Sequence, residues 1–301
     1  MAMSTSARAT FLIAAPDGPG LVARLAGFFS ELGLNIIDAS NHTELITESG
    51  VPRFFMRLVV DLARLESPQA LQGLGGSSTR KNLTEAFGKL AGALQAEWSV
   101  VYSDRLARVA LLVTKEPVCL YDLLLRQQSG ELPCEIPLII GNHNALEQVA
   151  ENFRVPFFTL PVTPETKPAQ EAAVLDLLRR HHIDLVVLAR YMQVLSDDFL
   201  RQAPSVINIH HGFLPAFQGA KPYHQAYARG VKIIGATAHY ATRDLDQGPI
   251  IEQDVARVSH AMGPEELVRV GRDVERVVLA RAVRAHLERR VVVEGRRTII
   301  L

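Results

Sequence analysis

The sequence is short of cysteine, of surplus charge and of long apolar runs, and each shortage excludes something. Cys119 and Cys134 are its only cysteines. They build no disulfide framework. With no Cys/His spacing of the zinc type and no H-x-x-x-H pair, no metal site is expected. Lys plus Arg and Asp plus Glu both number 32, so the formal net charge is zero. The electrostatic ground for a nucleic-acid partner or an anionic membrane surface is therefore missing. No apolar stretch approaches the ~20 residues that a membrane span needs. Met1 to Thr10 carries Arg8 but no apolar segment of a secretion signal. Asp17-Gly18-Pro19-Gly20 is not a complete G-x-G-x-x-G dinucleotide loop. A cytoplasmic globular protein is left, whose 301 residues allow one large or two modest domains.

Ala9 to Ala15 is a short apolar run of strand type, broken by Pro16-Asp17-Gly18-Pro19-Gly20. Leu21, Leu25, Phe28, Phe29 and Leu32 follow at helical spacing, and Gly33 ends that helix. Strands are expected over 36–46, after which Glu48-Ser49-Gly50 turns the chain, and over 54–60. A Gly/Ser loop over 73–78, a helix marked by Leu83, Phe87, Leu90 and Leu94, and a strand over 98–102 complete a ferredoxin-like βαββαβ order. The loop Asp17-Gly18-Pro19-Gly20 resembles that of ACT domains, which are small regulatory modules. The resemblance implies an amino-acid effector held by Asp17, Gly18, Gly20 and Asn35 where two such domains pair. Taken as residues alone, the same loop is a tight turn and a helix start. The open edge and bare face of such a sheet favour a second copy, so a homo-oligomer is expected.

Ser103-Asp104-Arg105 is the expected linker, dividing 1–103 from 104–301. Beyond it, strand candidates over 106–113, 136–140, 157–160, 185–189, 206–210, 233–240 and 250–255 alternate with helix candidates over 119–127, 145–153, 169–181, 197–202 and 223–229. Such alternation is the α/β class and predicts a Rossmann-like, mostly parallel sheet. A long amphipathic helix is expected from Pro264 to about His286, and the chain closes on a hairpin through Glu294-Gly295.

Val206-Ile207-Asn208-Ile209-His210 ends a strand with a carboxamide and an imidazole on one face and two isoleucines on the other. Open α/β sheets place their ligand crevice at such strand ends. Downstream, Asp244-Leu245-Asp246-Gln247-Gly248-Pro249 is a turn able to return a carboxylate to the same crevice. Asn, His and Asp together can polarise a carbonyl, move a proton and orient the imidazole.

Asn208-Ile209-His210, Phe213-Leu214-Pro215 and Asp244 to Ile251, at this spacing, resemble the signature of the folate-dependent formyltransferase family. The run from Phe213 to Tyr227 and the final Arg297-Thr298-Ile299-Ile300-Leu301 are similar to its hydrolytic branch, and the resemblance covers nearly the whole chain. It implies 10-formyltetrahydrofolate as substrate, no prosthetic group, and Asn208, His210 and Asp246 as catalytic residues. It further implies a pterin pocket at Leu188 to Leu195, with Met192, Gln193, Val194 and Leu195 in contact and Gly248 nearby. His239, on its own strand, either lines the site or fills the core. Gln193 stands where many relatives carry Arg, and Gly212 where Ser is usual.

Formyl transfer needs a nucleophile at the formyl carbon, donors for the oxyanion and a proton for the leaving N10. No Ser or Cys nucleophile stands out, so direct attack is expected rather than a covalent intermediate. Purine-pathway members of the family carry a Gly-rich phosphate loop after their first strand. Here the position reads Thr114-Lys115-Glu116-Pro117-Val118-Cys119-Leu120, without a glycine and with a carboxylate that would repel a phosphate. Water is therefore the expected acceptor, with formate feeding purine biosynthesis and the one-carbon pool kept in balance. Transfer to an amine and a non-catalytic folate or amino-acid sensor are the alternatives.

Overall fold

A computed structural model describes residues 7–47, 50–76, 79–216 and 222–301. Part of the expected turn (48–49), the end of the Gly/Ser loop (77–78) and 217–221 of the family-like run lie outside the described residues. The chain forms two compact units. The first runs to Arg105 and takes in Arg289–Val292 and Ile299–Leu301; the second holds Leu106–Glu288 and Val293–Thr298.

In the first unit β1 (Arg8–Pro16), α1 (Leu21–Glu31), β2 (Asn35–Glu44), β3 (Arg53–Asp61), α2 (Pro68–Gly73), α3 (Arg80–Ala93) and β4 (Glu97–Tyr102) follow one another. The strands make an antiparallel sheet in the order β2-β3-β1-β4, the ferredoxin-like arrangement. Along β1 the period of two buries Ala9, Phe11, Ile13 and Ala15. The Phe11 ring lies 5.0 Å from Phe29 of α1 and 4.6 Å from Phe87 of α3, so both helices cover this face. Each of the large side chains buried here, Phe11, Ile13, Phe29 and Phe87, contributes roughly 1.5–3 kcal/mol. Helix α2 runs up to the start of the expected Gly/Ser loop, over a stretch for which no element was expected. Ser67 caps it, accepting from the Ala70 N–H at 3.3 Å, with Pro68 in its first turn, a start signal the sequence does carry.

The expected effector residues do not converge within one chain. Pro16, next to the Asp17–Gly20 loop, pairs with Arg53, whereas Asn35 pairs with Asp61 at the opposite end of β3. The length of β3 separates them, roughly 26 Å at about 3.3 Å per residue. Asp17 instead meets the Thr43 hydroxyl at 3.4 Å.

The second unit holds β5 (Ala107–Val113), α4 (Val118–Gln128), β6 (Cys134–Gly141), a 3-10 turn (Asn144–Leu146), α5 (Glu147–Asn152), β7 (Phe157–Thr159), α6 (Lys167–Arg180) and β8 (Leu185–Leu188). It continues with α7 (Asp197–Gln202), β9 (Ser205–His210), α8 (Pro222–Ala228), β10 (Ile233–Tyr240), β11 (Ile250–Arg257) and α9 (Pro264–Leu287). The closing hairpin pairs β12 (Val291–Glu294) with β13 (Arg297–Ile300). The seven-stranded sheet has the order β11-β10-β9-β8-β5-β6-β7. Its strands are parallel from β7 to β9, while β10 runs antiparallel to both neighbours. All four residues of β8 are buried, as expected of a parallel strand covered on both faces. One row crosses the sheet through Phe158, Ile140, Leu112, Leu188, Asn208, His239 and Ile250. It turns polar only at Asn208 and His239. Among the described residues no helix is long and apolar enough to cross a membrane.

Candidate active site

Chain order reverses direction across the sheet at β5, and the crevice of an α/β sheet opens beyond the carboxyl ends of such strands. A cavity of about 620 Å³ lies there, walled by the segment after β8, the end of β9, the loop after β10 and one side of α9. Asn208, His210, His239 and Asp246 all line it.

His210 Nδ1 stands 3.2 Å from Asp246 Oδ2, with the two side chains only 5% and 12% exposed. A carboxylate only accepts, so Nδ1 carries the proton and Nε2 keeps a lone pair. That Nε2 is buried and has no hydrogen-bond partner among the described residues. His239 takes the same tautomer for a different reason. Its Nδ1 lies 2.9 Å from the Tyr240 carbonyl, which fixes the proton there, and its Nε2 then accepts from Asn208 Nδ2 at 3.2 Å. His239 thus sets the direction of the Asn208 amide, whose second N–H remains available.

Burial pushes the Asp246 carboxyl up, but the hydrogen bond from His210 and the charge of the two neighbouring histidines when protonated outweigh it and hold the group well below the usual carboxylate range. His210 carries the larger share. His239 Nε2 is 3.6 Å from Asp246 Oδ1 and, while neutral, offers it a lone pair rather than a proton. Asp246 sits at φ 55, a left-handed backbone that Asp tolerates. Gly248 does not line the cavity. A Cβ there would fall 1.7 Å from the Tyr240 carbonyl oxygen, so only glycine lets this turn press on the strand and bring Asp246 round to His210. His211, next in sequence, has its pKa lowered to about 3 by burial and by the charges of Arg190 and His210.

Met192, Gln193, Val194 and Leu195 line the cavity. Met192, Val194 and, from the loop after β10, Leu245 expose more than half their surface and line the cavity, giving it an apolar slot. The slot is held from below. The Met192 N–H donates to Thr114 Oγ1 at 2.9 Å, Gln170 donates to the Tyr191 hydroxyl at 3.0 Å, and the Ser196 N–H donates to Glu171 at 2.9 Å. Ser196 also caps α7 through the Phe199 N–H. Thr237, fully buried opposite His210, accepts from the Leu214 N–H and donates to the Gly212 carbonyl, fixing the chain that leaves the site.

Sequence reasoning placed Arg190 in the pocket segment without a role of its own, and missed Thr114, Thr237, Tyr223 and Glu275 as site residues. The available signals were polar residues at core-facing positions: Gln170 and Glu171 in α6, and Glu275 in α9, all buried. Among the described residues there is no group of three or more His, Cys, Asp or Glu side chains placed to hold a metal ion.

The chain matches the family described as formyl transferase over residues 107–283. It is 52% identical over 292 residues to a Synechocystis protein named formyltetrahydrofolate deformylase, an alignment covering 97% of this chain and 98% of the relative. The crystal structure of a formyltetrahydrofolate deformylase from Pseudomonas syringae pv. tomato matches with a TM-score of 0.88 at 44% identity, over 100% of this chain and 96% of that one. Glycinamide ribonucleotide transformylase 1 from Symbiobacterium toebii matches with a TM-score of 0.62 at 31% identity, over 66% of this chain and 96% of that one.

Proposed function

The chain belongs to the formyltetrahydrofolate deformylase family, within the formyl transferases, and from that premise we propose that Asn208, His210 and Asp246 carry its catalysis. The reaction is hydrolysis of 10-formyltetrahydrofolate to tetrahydrofolate and formate. Transfer to an amine and a purely sensing role are not favoured by relatives so named along the whole chain.

The observation that carries the catalytic reading is the bare Nε2 of His210 in the cavity beside a fixed amide donor. Asp246 holds the proton of His210 on Nδ1, so Nε2 is the base. It takes a proton from water as the water oxygen bonds to the formyl carbon. The remaining N–H of Asn208 receives the developing oxyanion. When the tetrahedral intermediate collapses the bond from carbon to N10 breaks, and the imidazolium, steadied by Asp246, returns the proton to N10. The slot of Met192, Val194, Leu195 and Leu245 takes the pteridine, with Gln193 at the same segment. The reading also includes an ACT-like, amino-acid-responsive first unit that pairs with a second copy, a cytoplasmic setting, and formate supply to purine biosynthesis.

The test uses purified full-length protein and 10-formyltetrahydrofolate. Formate and tetrahydrofolate should form in equal amounts. Asn208→Ala should lose ~10²–10³-fold in kcat, the cost of one oxyanion donor. A folded Asn208→Ala protein with near-normal turnover would remove Asn208 from this role.

A further inference from the structure

Beside its apolar slot, the cavity has an ionic wall that the hydrolytic steps do not use. Arg190, Tyr223, Arg272 and Glu275 line it. Glu275, 1% exposed, receives the Tyr223 hydroxyl at 2.6 Å on Oε1 and faces Arg190 Nη1 at 3.3 Å with Oε2. Arg272, one turn earlier on α9, pairs with Glu116 at 2.7 Å. Arg190 Nε and Nη1, Glu275 Oε2 and Glu116 Oε1 are buried and make no hydrogen bond among the described residues.

Two features make this wall expensive to keep. A buried ion pair with open valences is no more stabilising than an apolar filling of the same volume. Arg190 also sits at φ 62, a left-handed backbone that favours glycine and persists in other residues only when their surroundings hold it. The wall is nonetheless built with care. Tyr223 packs so close to α9 that a Cβ on Gly271 would fall 2.1 Å from its ring, so a helix-interior glycine is spent to bring the hydroxyl to Glu275.

Water and a primary amine attack a formyl carbon in the same way, and the amine is the stronger nucleophile. A hydrolase that leaves room for an amine becomes a transferase, so exclusion has to be built in. With folate in the apolar slot, a nucleophile reaches the formyl carbon through the rest of the cavity, which the ionic wall bounds. We propose that Arg190, seated on Glu275 and braced by Tyr223, is the specificity-determining residue that reserves this space for water. Its bulk fills the place of an amine acceptor. This rests on the catalytic reading given above. With Arg190 removed, an amine nitrogen bonds to the formyl carbon, the bond to N10 breaks, and N10 takes the proton that the amine gives up.

The test follows both products, formate and N-formylglycinamide, while the full-length enzyme consumes 10-formyltetrahydrofolate in rising glycinamide at a pH where the amine is free. The unaltered protein should yield formate alone. Arg190→Gly should divert at least about a tenth of the formyl groups to N-formylglycinamide, a share that grows with amine concentration. The double variant Arg190→Gly/Glu275→Gln, which leaves no orphaned carboxylate, should do the same and covers the case in which the single variant does not fold. N-formylglycinamide from the unaltered protein would overturn the proposal. So would a folded variant giving formate alone or no product at all. Failure of both variants to fold would overturn it too, by assigning Arg190 to the fold rather than to acceptor choice. The catalytic reading fails separately, through normal turnover in Asn208→Ala.

Discussion

Asp246 shows how much one residue depends on its setting. Its carboxylate is useful only because a left-handed backbone and Gly248 turn it back onto His210. Asp246→Asn keeps the shape but reverses the hydrogen bond, so the proton of His210 is no longer held on Nδ1. Turnover should fall by at least ~10²-fold with the melting temperature little changed. A folded variant with near-normal kcat would contradict the assignment. His211 allows a second residue-scale test. Its folded pKa is lowered to about 3, against about 6.5 in an unfolded chain. Between those values the unfolded chain binds a proton that the folded one refuses. The stability this histidine allows is therefore complete above about pH 6.5 and is lost toward pH 3, by up to about 1.4 kcal/mol per pH unit. Denaturant titrations should show that slope shrinking in His211→Asn; equal slopes in the two proteins would refute it. Asp246, with a depressed pKa, adds its own loss only below about pH 4. Asn208, His210 and Asp246 are legible in the sequence because strand alternation and a Gly-Pro turn are local signals. Arg190 and Glu275 meet only through the tertiary fold, and nothing near either one names its partner.

At the scale of elements, the strands and helices that follow simple periodicity are the legible ones. The alternation of β1 and the long stripe of α9 each reflect one buried face, and the apolar block of β8 reflects two. The direction of β10 is not written in its own residues. It follows from the way a chain leaving β9 returns, and it is what sets His239 opposite Asn208. Helix α9 carries a further expectation at Gly271. Replacing a helix-interior glycine by alanine usually stabilises by up to about 1 kcal/mol. Here the added Cβ would collide with Tyr223, and overpacking costs roughly 1–3 kcal/mol. Gly271→Ala should therefore melt lower than the unaltered protein, by a few degrees at about 2–4 °C per kcal/mol. A higher melting temperature would mean that the Tyr223 ring yields freely.

Across the whole molecule, the residues that line the cavity all lie in the second unit, and we propose the ferredoxin-like first unit for control and assembly. If that unit senses amino acids, calorimetric titration of the full chain should find at least one free amino acid that binds, and binding should change turnover. By linkage, a folate ligand must then alter that amino acid's affinity by the same factor by which the amino acid alters folate affinity. No binding across a full panel would remove the sensing role. Water activated by His210 is expected to attack the formyl carbon directly, with no formyl-enzyme on the way. The measurement is a rapidly quenched single turnover with enzyme in excess over 10-formyltetrahydrofolate, reading tetrahydrofolate, free formate and the intact mass of the protein. Direct attack predicts that formate appears in step with tetrahydrofolate and that the protein never gains the mass of a formyl group. Tetrahydrofolate released ahead of formate, with the formyl group found on the protein, would mean that a protein group had attacked first, and would contradict direct attack by water.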